Sequence, residues 1–331
     1  MAKVIKKRWK ILRLCISLLF ELGILLAFIF AFGIRTSYVQ TKMAQGIASY
    51  LSKELNAQIS IQHVEIDNIH QFLLKEIYVE DKKGDTLLFV KRLQLDLNDF
   101  DLEKRVIEIG EIEIENALFT MVKYPGDEQF SYAFLEDYFG SKKSEKSLPY
   151  QLNIEGVEIT NSSFRLTDFN KNEKALGVDY SHLNLTQIEA SIKNFSNRDN
   201  LSAQIDQLAF YEHSGFKIEQ MQALVAYSNS QVLLQNLDLI SNASEINANQ
   251  LSLSYSDPKQ FKNFLERVKL SADFEKSIIN TKDLAYFASF FEGIQEPLDF
   301  QGKVAGTISD LTVNELKLGF GQSSTNLYKY Q

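Results

Sequence analysis

The sequence predicts a mainly β protein. A transmembrane helix and an amphipathic helix lead into an elongated, antiparallel sheet curled into an apolar trough, with a few short helices. Three observations predict this. A basic N-terminus precedes a long apolar run. From Ala57 onward, apolar residues alternate with period two. One ten-residue strand pattern, losing phase at the same point each time, recurs along the chain.

The chain has 331 residues, 45% hydrophobic and 24% charged, a balance that suits a folded protein. Its formal net charge of −8 argues against a general affinity for nucleic acid. Lys3, Lys6, Lys7, Arg8 and Lys10 precede Leu14–Ile34, which carries a single charge, Glu21. That run is long enough to cross a hydrocarbon core of about 30 Å. It is too long for the apolar region of a signal peptide, and "FAFGIRTS" lacks a small-residue cleavage site. The expectation is a cytoplasmic tail at 1–13, an uncleaved anchor at 14–34, and the rest of the chain across the membrane. The only cysteine, Cys15, falls inside the run, as suits a large domain in an oxidising compartment. Glu21 near mid-bilayer costs about 2.5–3.5 kcal/mol on insertion scales. Either its Leu, Ile and Phe neighbours absorb that cost, or it is protonated, or it contacts a partner helix within the membrane.

Next, over 35–56, Val39, Met43, Ile47, Leu51 and Leu55 recur four apart, which predicts an amphipathic helix. Ser37 suits its start and Asn56 its end. Its apolar face suits a membrane surface or, preferably, the open end of a sheet. The body, 57–331, contains strand patterns such as "LFVKRLQLDLN", "SFRLTDF", "VLLQNLDLI" and "LTVNELKLGF". Short helical patterns occur at "GDEQFSYAFLEDYFG", near 257–268 and near 281–293. So few helices between so many strands predict antiparallel pairing.

"ISIQHVEIDN" (59–68), "IEIGEIEIEN" (107–116) and "LNIEGVEITN" (152–161) share one template: apolar-x-apolar-x-x-apolar-Glu-apolar-x-Asn. "VLLQNLDLIS" (232–241) and "LTVNELKLGF" (311–320) keep the skeleton without the asparagine. A single-residue slip would normally throw later side chains onto the other face. A β-bulge at Gly110–Glu111 and at Glu155–Gly156 brings them back and bends the sheet. One face then carries Ile59, Ile61, Val64, Ile66, Ile107, Ile109, Ile112, Ile114, Leu152, Ile154, Val157 and Ile159. The closing asparagines suit a left-handed or turn position before a further strand. Periodicity leaves open whether this apolar wall closes on itself as a sandwich or barrel, or remains an open trough.

The anchor, the helix "SYVQTKMAQGIASYLSKELNAQISIQHVEID" and "LKEIYVEDKKGDTLLFVKRLQLDLN" together resemble the start of TamB-like proteins in the wider AsmA-like group. The stretch "LSAQIDQLAFYEHSGFKIEQMQALVAYSNSQVLLQNLDLISNASEINANQLSLSY" is similar to their repeated middle units. The resemblance implies an inner-membrane anchor and a periplasmic, β-taco-like groove carrying phospholipid acyl chains toward the outer membrane. The twelve residues above would line that groove. It also implies, as an alternative, assembly of outer-membrane proteins with a barrel partner of the TamA or BamA type. Members are commonly far longer, so the chain reads as an N-terminal portion.

Catalytic and cofactor patterns are wanting, and the expectation is a non-enzyme without cofactors. His63, His70, His182 and His213 lack ligand spacing. Glu111, Glu113 and Glu115 read as a solvated outer face. "GKVAG" at 302–306 lacks the phosphate-loop order and reads as a turn.

Overall fold

The computed structural model describes residues 36–67, 70–101, 103–141, 150–198, 200–320 and 323–330. The basic tail, the anchor at 14–34, Cys15, Glu21 and the closing residue of the first repeat, Asn68, lie outside them. No described helix is long and apolar enough to cross a membrane.

The fold is mainly β. The first strands are β1 (Ile59–Asp67), β2 (Gln71–Glu80), β3 (Thr86–Asp101), β4 (Val106–Lys123), β5 (Gln151–Asp168), β6 (His182–Ser196) and β7 (Leu201–Glu212). The rest are β8 (Lys217–Tyr227), β9 (Gln231–Ser241), β10 (Glu245–Ser254), β11 (Lys269–Asn280), β12 (Pro297–Thr307), β13 (Asp310–Phe320) and β14 (Ser323–Tyr330). Their order in the sheet is their order in the chain, so the sheet does not close. The helices are α1 (Ser37–Leu55), α2 (Ala133–Ser141), α3 (Phe264–Arg267) and α4 (Thr281–Ala285). A 3-10 turn at Pro258–Asn263 runs into α3, and another at Ser289–Phe291 follows α4, so the helical patterns near 257–268 and 281–293 are real but broken.

The sheet is not wholly antiparallel, because β4 and β5 pair in parallel. Parallel neighbours need a long crossover, and residues 124–150, with α2 among them, supply one. "GKVAG" is also not a turn but the end of β12. Gly302 and Gly306 in it have φ of +141° and +130°.

The chain divides into two compact units, one extending to Glu173 with Asp179–Glu189, the other comprising Lys174–Val178 and Ala190 onward. In the first, α1 lies along the free edge of β1. Thr36, not Ser37, is the N-cap, and Asn56 ends the helix in the left-handed conformation. The buried face of α1 is Gln40, Ala44, Ala48 and Leu55, while Val39 stays exposed and Met43, Ile47 and Leu51 are only half-buried. The reason is the polar edge that the helix covers. The Gln40 amide donates to Ile66 O and accepts from Ile66 N. Thr41 Oγ1 does the same at Val64, at 3.1 and 3.0 Å, and Ser52 Oγ at Ile59, at 3.0 and 2.8 Å. A sheet edge is a row of unsatisfied donors and acceptors. Three polar side chains and two alanines, which allow close approach, fill it. A core of Leu55, Ile59, Val79, Leu87, Met121 and Leu166 then packs against Tyr132 and Leu135 at α2.

In the second unit, Tyr255, Phe261 and Val268 form a small core at the β10–α3 connection. The β9–β10 turn is tied to α4 by Asp283. Its Oδ2 accepts from Ser241 Oγ (2.7 Å), Ser244 Oγ (2.8 Å) and Ala243 N (2.9 Å).

Candidate functional site

The repeated phase slip is built by two devices. The first is the bulge. Between the pairs Leu95–Ile112 and Leu97–Ile109, β3 has one residue, Asp96, where β4 has two, Gly110 and Glu111. The same count recurs at Asn236–Leu237 opposite Ala223, and at Glu315–Leu316 opposite Gly302. Both later bulges begin with a left-handed residue, Asn236 at φ 51° and Glu315 at φ 54°. Glu155–Gly156 lies beside Gly110–Glu111, and the β4–β5 ladder keeps one register through both.

The second device is a line of left-handed residues inside the strands. Glu76, Asn116 and Asn161 have φ of 53°, 52° and 43°. Register places Gln62, Glu76, Lys91, Asn116 and Asn161 on one transverse line, where the ladder skips a rung. Along that line β1 and β2 change phase together, so the first repeat slips without a bulge. The asparagines of the second and third repeats are left-handed, as their type suggests, but they stand within β4 and β5 rather than before a further strand.

These devices hold the predicted residues on one face. Directly paired residues share a face, and the rows run Val64–Leu74–Leu93–Ile114–Ile159 and Ile66–Phe72–Leu95–Ile112–Val157. A third row carries Ile59, Val79, Leu88, Phe119 and Phe164, and Ile61 pairs with Ile77. Ile107 and Leu152 pair with one another, as do Ile109 and Ile154.

Burial divides the twelve. Ile59, Ile61, Val64, Ile66, Ile107, Ile109, Leu152 and Ile154 are buried, Val64 completely, so they are core. Ile112, Ile114, Val157 and Ile159 keep part of their surface. Only these four of the set are accessible to a ligand without displacing protein.

The opposite face of β4 is polar and braced. Arg92 donates to Glu113 (2.9 Å) and Glu115 (2.5 Å). The bond to Glu113, chiefly, holds the guanidinium pKa above its ordinary value. Asn98 sits over Gly110 and donates to Glu155 (2.9 Å), and Glu111 lies over Gly156, where a Cβ would stand.

The twelve candidate residues all lie in the first unit and leave out the second unit's apolar face. There Ala203, Val225, Leu234, Leu251, Ala272, Val304 and Val313 pair in succession from β7 to β13. Met221, Leu239, Ile246, Phe274, Phe300 and Leu318 flank this row and are partly buried. The template's apolar skeleton at 232–241 and 311–320 marked two strands of this face, but its residues were not among the twelve candidates.

Each histidine is occupied locally: His63 by Glu65, His70 by Leu97 O, His182 by Asp179 and His213 by Glu212. Among the described residues, no three acidic, histidine or cysteine side chains are placed to hold a metal ion. An open cleft of about 980 Å³ between α1, β1 and the β2–β3 turn has a mixed lining, with Ala48, Ile59 and Ile61 beside Gln45, Lys53 and Lys82. In comparison with known proteins, the chain matches no family model and no curated protein.

Proposed function

We propose that the protein is an inner-membrane-anchored, extracytoplasmic groove protein that carries phospholipid acyl chains toward the outer membrane, as its resemblance to TamB-like proteins implies. The anchor is the run 14–34, and the role is conduction rather than catalysis. The observation that carries the reading is the unbroken apolar row from Ala203 to Val313. Strands lie about 4.8 Å apart, so the six steps of that row cover roughly 29 Å. Its flanking side chains, Met221, Leu239 and Phe274 among them, are only partly buried.

The physics of the cargo matches such a surface. Acyl chains gain about 0.8 kcal/mol per buried CH₂. An apolar row satisfies that requirement without hydrogen bonds to read chain identity. Carriage therefore depends on continuity of the row and not on any single residue.

The test is photo-crosslinking in cells labelled in their phospholipids. Crosslinkers replacing Ile114, Val157, Leu234 and Leu251 are expected to capture phospholipid, and those replacing Glu113 and Gln235, their chain neighbours, are not. Equal lipid capture at both sets, or none at either, overturns the reading. Capture of unfolded barrel strands instead of lipid favours assembly of outer-membrane proteins with a TamA-type partner.

A further inference from the structure

α1 has two working faces, and the fold uses one. Gln40, Thr41, Ala44, Ala48, Ser52 and Leu55 are committed to β1 and the core. At 100° per residue, the side turned away carries Val39, Lys42, Met43, Gly46, Tyr50 and Lys53, with Tyr38, Ser49 and Glu54 on its flanks. Tyr38, Tyr50 and Val39 are 71%, 58% and 39% exposed. A Cβ added at Gly46, near the middle of that side, would meet nothing within 4 Å.

We propose that this outer face rests on an anionic phospholipid bilayer, making α1 an interfacial helix that seats the edge of the sheet on the membrane. Three observations identify the occupant. Tyrosines with an apolar ring and a polar tip favour the headgroup level. Lys42 and Lys53 are the helix's basic residues and Glu54 its one acidic residue, which suits anionic headgroups. The chain before α1 sets the depth. Only Arg35 and Thr36 separate Ser37 from Ile34, the end of an apolar run long enough to span the hydrocarbon core. The three steps from Ile34 to Ser37 reach at most about 11 Å, so a span ending at Ile34 starts the helix at or close to the headgroup layer.

The inference rests on the anchor in the proposed function and is independent of the apolar row. It is tested on the full chain in vesicles of phosphatidylethanolamine and phosphatidylglycerol. Trp9, the only tryptophan, is first changed to phenylalanine. Single Tyr38→Trp, Tyr50→Trp and, as reference, Tyr211→Trp variants are then quenched with lipids brominated in their acyl chains. Tyr211, in β7, is 49% exposed. Y38W and Y50W should be quenched several-fold more than Y211W, and the pair Lys42→Glu with Lys53→Glu should weaken that quenching. Equal quenching in all three overturns the proposal. So does shielding of Y50W from aqueous acrylamide without bromolipid quenching, the mark of a protein partner. Failure of the chain to float with the vesicles removes the anchor as well. Lipid capture at Leu234 is read separately, so failure of the groove reading leaves this result intact.

Discussion

The side-chain amide of Asn161 donates a 2.6 Å hydrogen bond to Asn116 Oδ1 across the parallel β4–β5 pair, and both residues are left-handed. The rung is mended around them. Ser162 Oγ accepts from Ala117 N and donates to Thr160 O, and Asn161 N donates to Glu189 Oε1. Alanine at either asparagine loses the amide bond and meets the left-handed penalty, together about 1–2 kcal/mol. Glycine relieves the backbone part. Urea midpoints should therefore rank wild type above Asn116→Gly, and that above Asn116→Ala. Indistinguishable glycine and alanine variants would show that the backbone at 116 is not held left-handed.

Two glycines separate a soft neighbour from a hard one. At Gly156 a new Cβ meets the end of the Glu111 side chain, which can swing into solvent. Gly302 has φ +141°, and its Cβ would fall 2.5 Å from the Glu315 carbonyl oxygen, which is fixed by the bulge. Gly156→Ala should cost under about 1 kcal/mol and Gly302→Ala more than about 2 kcal/mol. Thermal denaturation of the two variants checks the order, which a soft backbone at 315 would abolish.

The seal on β1 is polar, so it is sensitive to isosteric apolar changes. Thr41→Val and Ser52→Ala each leave an N–H and a C=O of β1 without their side-chain partner. Each is expected to cost about 1–2 kcal/mol. Hydrogen exchange should speed up at Val64 in the first variant and at Ile59 in the second. Unchanged protection at both amides would mean that water replaces the hydroxyls freely.

Asp283 is 4% exposed and gathers three donors on one oxygen. Asp283→Ala strands two serine hydroxyls and a backbone N–H, and hydrogen bonds to a charged group are worth about 1.5–3 kcal/mol each. A loss of at least about 3 kcal/mol is expected, with proteolysis beginning at the 241–244 turn. Wild-type resistance of that turn would remove Asp283 as its tie.

Glu212 links stability to pH. Burial pushes its carboxyl pKa up, but hydrogen bonds from Ser214 and from His213 (2.5 Å to Nδ1) pull it further down, to a net value below its ordinary 4.5. A lowered folded pKa means that its stabilisation is complete above about pH 4.5 and is lost as pH falls through the folded value. Glu212→Gln should therefore be less stable than wild type at pH 7, by about 1–2 kcal/mol, with the gap narrowing on acidification. A gap that is constant between pH 7 and pH 3 would contradict this.

Legibility from sequence followed the physics of each feature. The Gly110–Glu111 bulge was readable because a phase slip between isoleucine pairs has a geometric meaning. So was the left-handed tendency of Asn116 and Asn161. Glu76, Gln187 and Glu315 are left-handed too, yet their side chains announce nothing of the kind. Parallel β4–β5 pairing was hidden because alternation reads the same in either direction. The seal of α1 was hidden because Gln40, Thr41 and Ser52 are buried by hydrogen bonding, which a count of apolar spacing passes over. The split among the candidate lining residues, eight in the core and four partly open, depends on neighbours distant in sequence.

The second and third repeats begin 45 residues apart, and every β4–β5 pair from Val106–Gln151 to Lys123–Asp168 carries that same offset. Equivalent positions of the two repeats therefore stand side by side, and Asn116 meets Asn161. At the slip the order is inverted, Gly110–Glu111 against Glu155–Gly156, so Glu111 meets a glycine where a faithful copy would set glutamate against glutamate. The inversion is what lets two acidic repeats lie in parallel without opposing carboxylates at that rung.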